Sequence, residues 1–134
     1  MKMLGKEKPL VLAACSDEEL GWRLERWLLE NGFRCEVFDS CARLLARLLE
    51  QNASLLIVDW NTDGMPPSHL RAVLERSHPQ LPVIWLHGPE TEPPKELFHS
   101  LSEVLLPKPV ERRQLVESAL VLLEQSERPE AALA

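Results

Sequence analysis

Five short apolar runs recur along the chain: LVLAA (10–14), CEVF (35–38), LLIVD (55–59), PVIWL (82–86) and EVLL (103–106). A longer stretch with helical periodicity follows each of them. This alternation constrains the fold more than any other feature. Strands separated by a helix's length of chain cannot close as hairpins and pair in parallel, through right-handed crossovers. Those crossovers place helices on both faces of the sheet, so its strands read as continuous apolar runs. The expectation is a doubly wound α/β domain, a five-stranded parallel sheet between two helical layers.

The helical stretches carry their own start and stop signals. After the first run, Ser16 reads as an N-cap and Glu19, three residues later, completes a capping box. Leu20, Leu24, Trp27 and Leu28 follow as one apolar face, and Asn31-Gly32 ends the helix where glycine takes a left-handed conformation. Ser40 caps a second helix with the stripe Leu44, Leu45, Leu48 and Leu49; a third opens at Ser68-His69-Leu70 and closes before Pro79. A proline-rich passage leaves a fourth helix only about two turns, roughly 95–101. The last runs from Glu111 to about Gln125, with Leu115, Ala119, Leu122 and Leu123 inward. Residues 1–7 read as an N-terminal extension, 8–126 as the domain, and 127–134 as a frayed, flexible tail.

Composition narrows the function. A net charge of -6 without a Lys/Arg cluster argues against a nucleic-acid surface. Three cysteines at 15, 35 and 41 lack C-x-x-C spacing, and the four histidines lack ligand spacing, so neither a disulfide framework nor a zinc site is expected. The start MKMLGKEKP has no apolar core of a secretory signal, and no run is long enough to span a membrane. A reducing, cytoplasmic setting is expected, with no nucleic acid and no membrane as partners.

An open parallel sheet places its ligand outside the carboxyl ends of the strands. Here those ends are Ala14-Cys15-Ser16, Asp59-Trp60, His87-Gly88 and Pro107-Lys108. Asp59 ends the third run and Lys108 follows the fifth, so a carboxylate and an ammonium can meet at neighbouring strand ends. LLIVDW and LLPKPV, in register with five βα units, make the chain from about 8 to 125 resemble the receiver domain of two-component response regulators. The resemblance implies a CheY-like, flavodoxin-like sheet of order 2-1-3-4-5. It places the phosphoryl-accepting aspartate at Asp59 and the conserved-type lysine at Lys108, before a Pro109 whose peptide bond is typically cis.

The departures from the family pattern bear on function. Receivers hold magnesium with two acidic residues after the first strand; Cys15 and Ser16 stand there, and Asp17 lies one place further, in the capping box. The hydroxyl residue that ends the family's fourth strand is His87, and the aromatic switch position on the fifth strand is Leu105. Magnesium is usually held by one or two carboxylates together with phosphate oxygens, and Asp59 alone makes a poor site. Electrostatic stabilisation dominates phosphoryl-transfer catalysis, so its loss removes the chemistry.

The expected function is therefore a stand-alone, degenerate receiver (a pseudo-receiver) acting as a protein-interaction module, not an enzyme, with no cofactor and magnesium binding lost. Its site comprises Asp59 and Lys108 as a surviving pair, with His87, Trp60, Cys15 and Ser16 as the altered pocket. One alternative is a receiver still phosphorylated on Asp59 by a histidine kinase with unusual metal dependence. Another is a small flavodoxin-like cofactor binder, which lacks a Ser/Thr/Gly-rich phosphate cradle here.

Single residues also carry paired readings. His87 is either an imidazolium standing in for metal charge or an ordinary, partly exposed histidine. Cys15 is either a reactive thiol at a helix start or a small buried filler. Trp60 is either a pocket residue or a lid; Trp85 reads as core and Trp22 as exposed. Val116, Leu120 and Val121 lie off the last helix's stripe, and by resemblance suggest a homodimer through the fourth and fifth helices.

Overall fold

In the computed structural model, which describes residues 8–89 and 102–126, every expected strand forms. The elements are β1 (Leu10–Ala14), α1 (Glu18–Leu29), β2 (Arg34–Phe38), α2 (Cys41–Glu50), β3 (Leu55–Asp59), α3 (Pro67–Ser77), β4 (Val83–His87), β5 (Glu103–Pro107) and α4 (Arg112–Ser126). The expected short helix at 95–101, the extension 1–7 and the tail from 127 lie outside the described residues.

The strands pair in parallel in the order β2-β1-β3-β4-β5. β1, β3 and β4 are buried on both faces, which explains their unbroken apolar runs. Side chains alternate between the layers, as the period of a strand requires. Val11, Ala13, Leu55, Ile57, Ile84 and Leu86 pack with α1 and α4. Leu10, Leu12, Leu56, Val58, Val83 and Trp85 pack with α2 and α3. The domain is thus three-layered, and all strand carboxyl ends emerge on one rim.

Some helix details differ from the sequence reading. The N-cap of α1 is Asp17, whose carboxylate accepts from the Glu19 and Leu20 amides at 3.0 and 3.3 Å. Ser16 is therefore not the cap and forms no capping box; the helix starts one residue later, and the stronger acceptor takes the orphan amides. The Ser40 cap forms as expected, accepting from the Arg43 amide. Leu49, expected inward, is 71% exposed, because Cys41, Leu44 and Leu48 already fill the buried stripe of α2. Val116, expected off the stripe, is buried, whereas Leu120 and Val121 are exposed. α3 starts at Pro67, ahead of Ser68, using proline's suitability for a first turn. Gly32 takes φ +91° after α1, as the Asn-Gly stop requires.

Candidate functional site

β3 delivers Asp59 to the carboxyl rim at the middle of the sheet, and the segment after β5 brings Lys108 over it. The ammonium donates to both carboxylate oxygens, Nζ to Oδ1 at 3.0 Å and to Oδ2 at 3.1 Å. Register sets this meeting: β3 pairs with β4 and β4 with β5, and the Lys108 amide extends the ladder by donating to His87 O. The Lys108-Pro109 peptide is cis, as the resemblance implied. The Asp59 side chain is 4% exposed and that of Lys108 24%. The carboxylate is thus buried against a partner that keeps part of its own surface in solvent.

The remaining acceptor capacity of Asp59 is also taken. The Asn61 amide donates to Oδ1 at 3.0 Å, and the Cys15 thiol lies 3.8 Å from Oδ2 as a weak donor. Cys15 is buried, and its Sγ also lies 3.4 Å from Asp17 O. Burial pushes the thiol up to about 11, with the Asp59 charge adding to the rise and the Asp17 carbonyl contact opposing it. A thiol held protonated is a poor nucleophile, so the geometry favours the filler reading of Cys15 over the reactive one. Cys41, at the start of α2, is likewise pushed up to about 11 by burial and by Asp59.

Thr62, which the sequence reading passed over, and Ser16 tie the rim together. Thr62 is buried, and its hydroxyl lies 2.6 Å from Asp59 O and 3.2 Å from Ala14 O, within donating distance of both strand ends. Ser16 Oγ accepts from the Asp63 amide at 2.8 Å, so the loop after β1 holds the loop after β3. A threonine three residues past a strand-ending aspartate is a weak local turn signal. Its partner on β1 becomes apparent only once β1 and β3 are adjacent.

The other expected residues are near the rim but not joined to the carboxylate. His87 ends β4 and is buried, contrary to the partly exposed reading; its Nδ1 faces the Gly88 carbonyl at 3.3 Å instead of Asp59. Trp60 is half-buried and packs edge-on against Trp85, ring centres 5.4 Å apart at 74°. The ring thus packs onto the core beneath α2 and α3. Trp85 is fully buried, and its indole N–H donates to Glu103 at 3.0 Å. Leu105, opposite Trp85 in the register, is half-buried against the α2–α3 core.

Several oxygens of the rim make contacts within the protein. Asp17 caps α1, Ser16 holds Asp63, and Asp59 is shared by Lys108 and Asn61. Among the described residues no group of three or more His, Cys, Asp or Glu is arranged to hold a metal ion.

No protein-family model and no curated protein matches the sequence. Solved structures do match in shape. A response regulator receiver protein from Sinorhizobium medicae superposes with a TM-score of 0.79 at 20% identity, covering 90% of this chain and 98% of that one. A receiver domain from Clostridium thermocellum gives 0.81 at 16% identity, covering 89% and 97%. The signal receiver domain of an HD domain-containing protein from Pseudomonas fluorescens gives 0.78 at 19%, covering 94% of each. In strand order, layers and overall superposition, this chain has the CheY-like fold of the response regulator receiver domains.

Proposed function

We propose that this chain is a degenerate receiver that acts in signal transduction by protein contact, without phosphoryl chemistry or a resident magnesium ion. The observation that carries the reading is the fully committed carboxylate. Asp59 accepts from Lys108 and Asn61 with the Cys15 thiol beside it, and among the described residues no group of three or more His, Cys, Asp or Glu is arranged to hold a metal ion. Magnesium prefers near-ideal octahedral oxygen coordination and sheds its waters reluctantly. A thiol and an engaged hydroxyl, at Cys15 and Ser16, do not meet that demand. Without a divalent cation, the repulsion between an incoming phosphoryl group and Asp59 is met by the Lys108 ammonium, which Asp59 already engages, and not by a metal charge.

Leu105 supports the same reading, because a branched aliphatic chain has no ring to swing between two positions. Output then rests on the surfaces of the domain: a partner protein, or a second copy of the chain through α4. The three free cysteines accord with a reducing, cytoplasmic setting. Among the described residues no helix is long and apolar enough to cross a membrane.

A second reading keeps Asp59 as a slow phosphoacceptor, and the retained Asp59–Lys108 geometry favours it. The two are separated by incubating the protein with acetyl phosphate and magnesium and weighing it intact. The degenerate reading expects no adduct. A stoichiometric phosphoryl adduct that disappears in Asp59→Asn overturns it.

A further inference from the structure

We propose that the groove between α1 and β2 binds an arginine-bearing basic segment of a partner protein. This rests on the interaction-module reading and gives it a surface and a partner chemistry. β2 is the edge strand of the sheet, so one side of the groove has no neighbouring strand. Gly21 lets α1 lie close to it: a Cβ there would stand 3.1 Å from Val37 Cγ1. The result is an open groove of about 490 Å³ with Val37 and Phe38, both half-buried, along its floor. It continues to Cys15 and Ser16, at the edge of the Asp59 site.

One stripe of α1 forms the opposite wall. Glu18, Trp22 and Glu25 are spaced four and three residues apart and so share a face. Trp22 is 66% exposed, a large ring left largely uncovered. Every charged group lining the groove is a carboxylate: Asp17, Glu18, Glu25 and Asp39. Asp17 is occupied as a helix cap, and Asp39 meets Arg43 at 3.6 Å on the surface. Glu18 and Glu25 have no basic partner among the described residues, although α1 carries Arg23 and Arg26, which pair with Glu19 and Glu30 instead.

An uncovered indole between two carboxylates without a basic partner among the described residues matches one chemistry closely. A guanidinium stacks on an aromatic face and also forks toward carboxylates, whereas an ammonium does only part of this. An apolar floor then accommodates the aliphatic stem of the same side chain. An acidic or neutral segment would leave both glutamates unpaired and gain nothing from the charge of the groove.

The test uses the full chain and a fluorescently labelled ten-residue peptide of alternating arginine and serine, followed by anisotropy at low and high salt. Saturable binding is expected at low salt and should weaken as salt rises. Trp22→Ala, and separately Glu18→Gln with Glu25→Gln, should each weaken binding about tenfold, as central interface anchors do. Trp22→Phe keeps a ring and should stay within about threefold. Glu117→Gln with Glu124→Gln on α4 removes the same net charge and should change affinity less than about twofold.

Absence of saturable binding overturns the proposal, as does an unaffected Trp22→Ala or an equal loss in the α4 control. A phosphoryl adduct on Asp59 with peptide binding intact overturns the functional reading and leaves the groove standing. No adduct and no peptide binding does the reverse.

Discussion

The Asp59–Lys108 pair shows how unequal the two halves of one ion pair are. Asp59 is almost fully buried, whereas Lys108 reaches partial solvent. Removing the lysine strands a buried charge; removing the carboxylate leaves an ammonium free to turn outward. Lys108→Ala should therefore cost about 2–3 kcal/mol, somewhat below the range for a fully buried pair. Asp59→Asn should cost clearly less, and urea unfolding of both variants checks the order. The buried thiols give a second expectation. Cys15 and Cys41 are pushed from 9.0 to about 11, and Cys35 to about 12, in each case mainly by burial. Folded-state values above the unfolded ones mean that the unfolded chain releases protons first as pH rises. The contribution is fully present below about 9 and is lost as pH climbs toward 11–12. The urea midpoint should fall over that window, and Cys35→Ala should fall less steeply over the same range.

At the scale of elements, helix starts decide how the rim is built. Asp17 caps α1, which frees the Ser16 hydroxyl to hold the Asp63 amide across the gap between two loops. Asp17→Ala should lower stability by about 1 kcal/mol, the ordinary worth of an N-cap. Ser16→Ala should leave α1 intact and instead raise amide exchange at residues 61–66. Hydrogen exchange distinguishes these, because a cap frays its own helix while a latch frees a distant loop. The pair formed by Arg71 of α3 and Glu103 of β5 has a similar architectural role. Its two 2.9 Å bonds and the Trp85 indole N–H satisfy a side chain buried to 9% exposure.

For the whole molecule, exposed apolar area is unevenly spread. Leu120 and Val121 of α4 are each 51% exposed, next to a stripe that is wholly buried. A homodimer through this helix would cover them. Sedimentation over a concentration series should then show a monomer–dimer equilibrium, and Leu120→Glu with Val121→Glu should yield monomer with the helical signal unchanged. A monomer at all concentrations would assign output to other faces, the α1–β2 groove among them.

The strand runs, their alternation with helices and the resulting three layers were legible in the sequence. Their cause is local: burial on both faces demands unbroken apolar runs, and helices need one apolar stripe each. That Asp59 and Lys108 meet was equally legible, because a parallel sheet sends strand ends to one rim. The finer polar pairing along the rim was not legible. The cap passed from Ser16 to Asp17, His87 turned to its own neighbouring carbonyl, and Thr62 joined β1 to β3. The Thr62 link depends on which strand ends lie side by side, whereas the Asp17 cap and the His87 contact are local choices among nearby donors and acceptors. Periodicity along a single chain carries apolar burial but not the three-dimensional competition among polar groups.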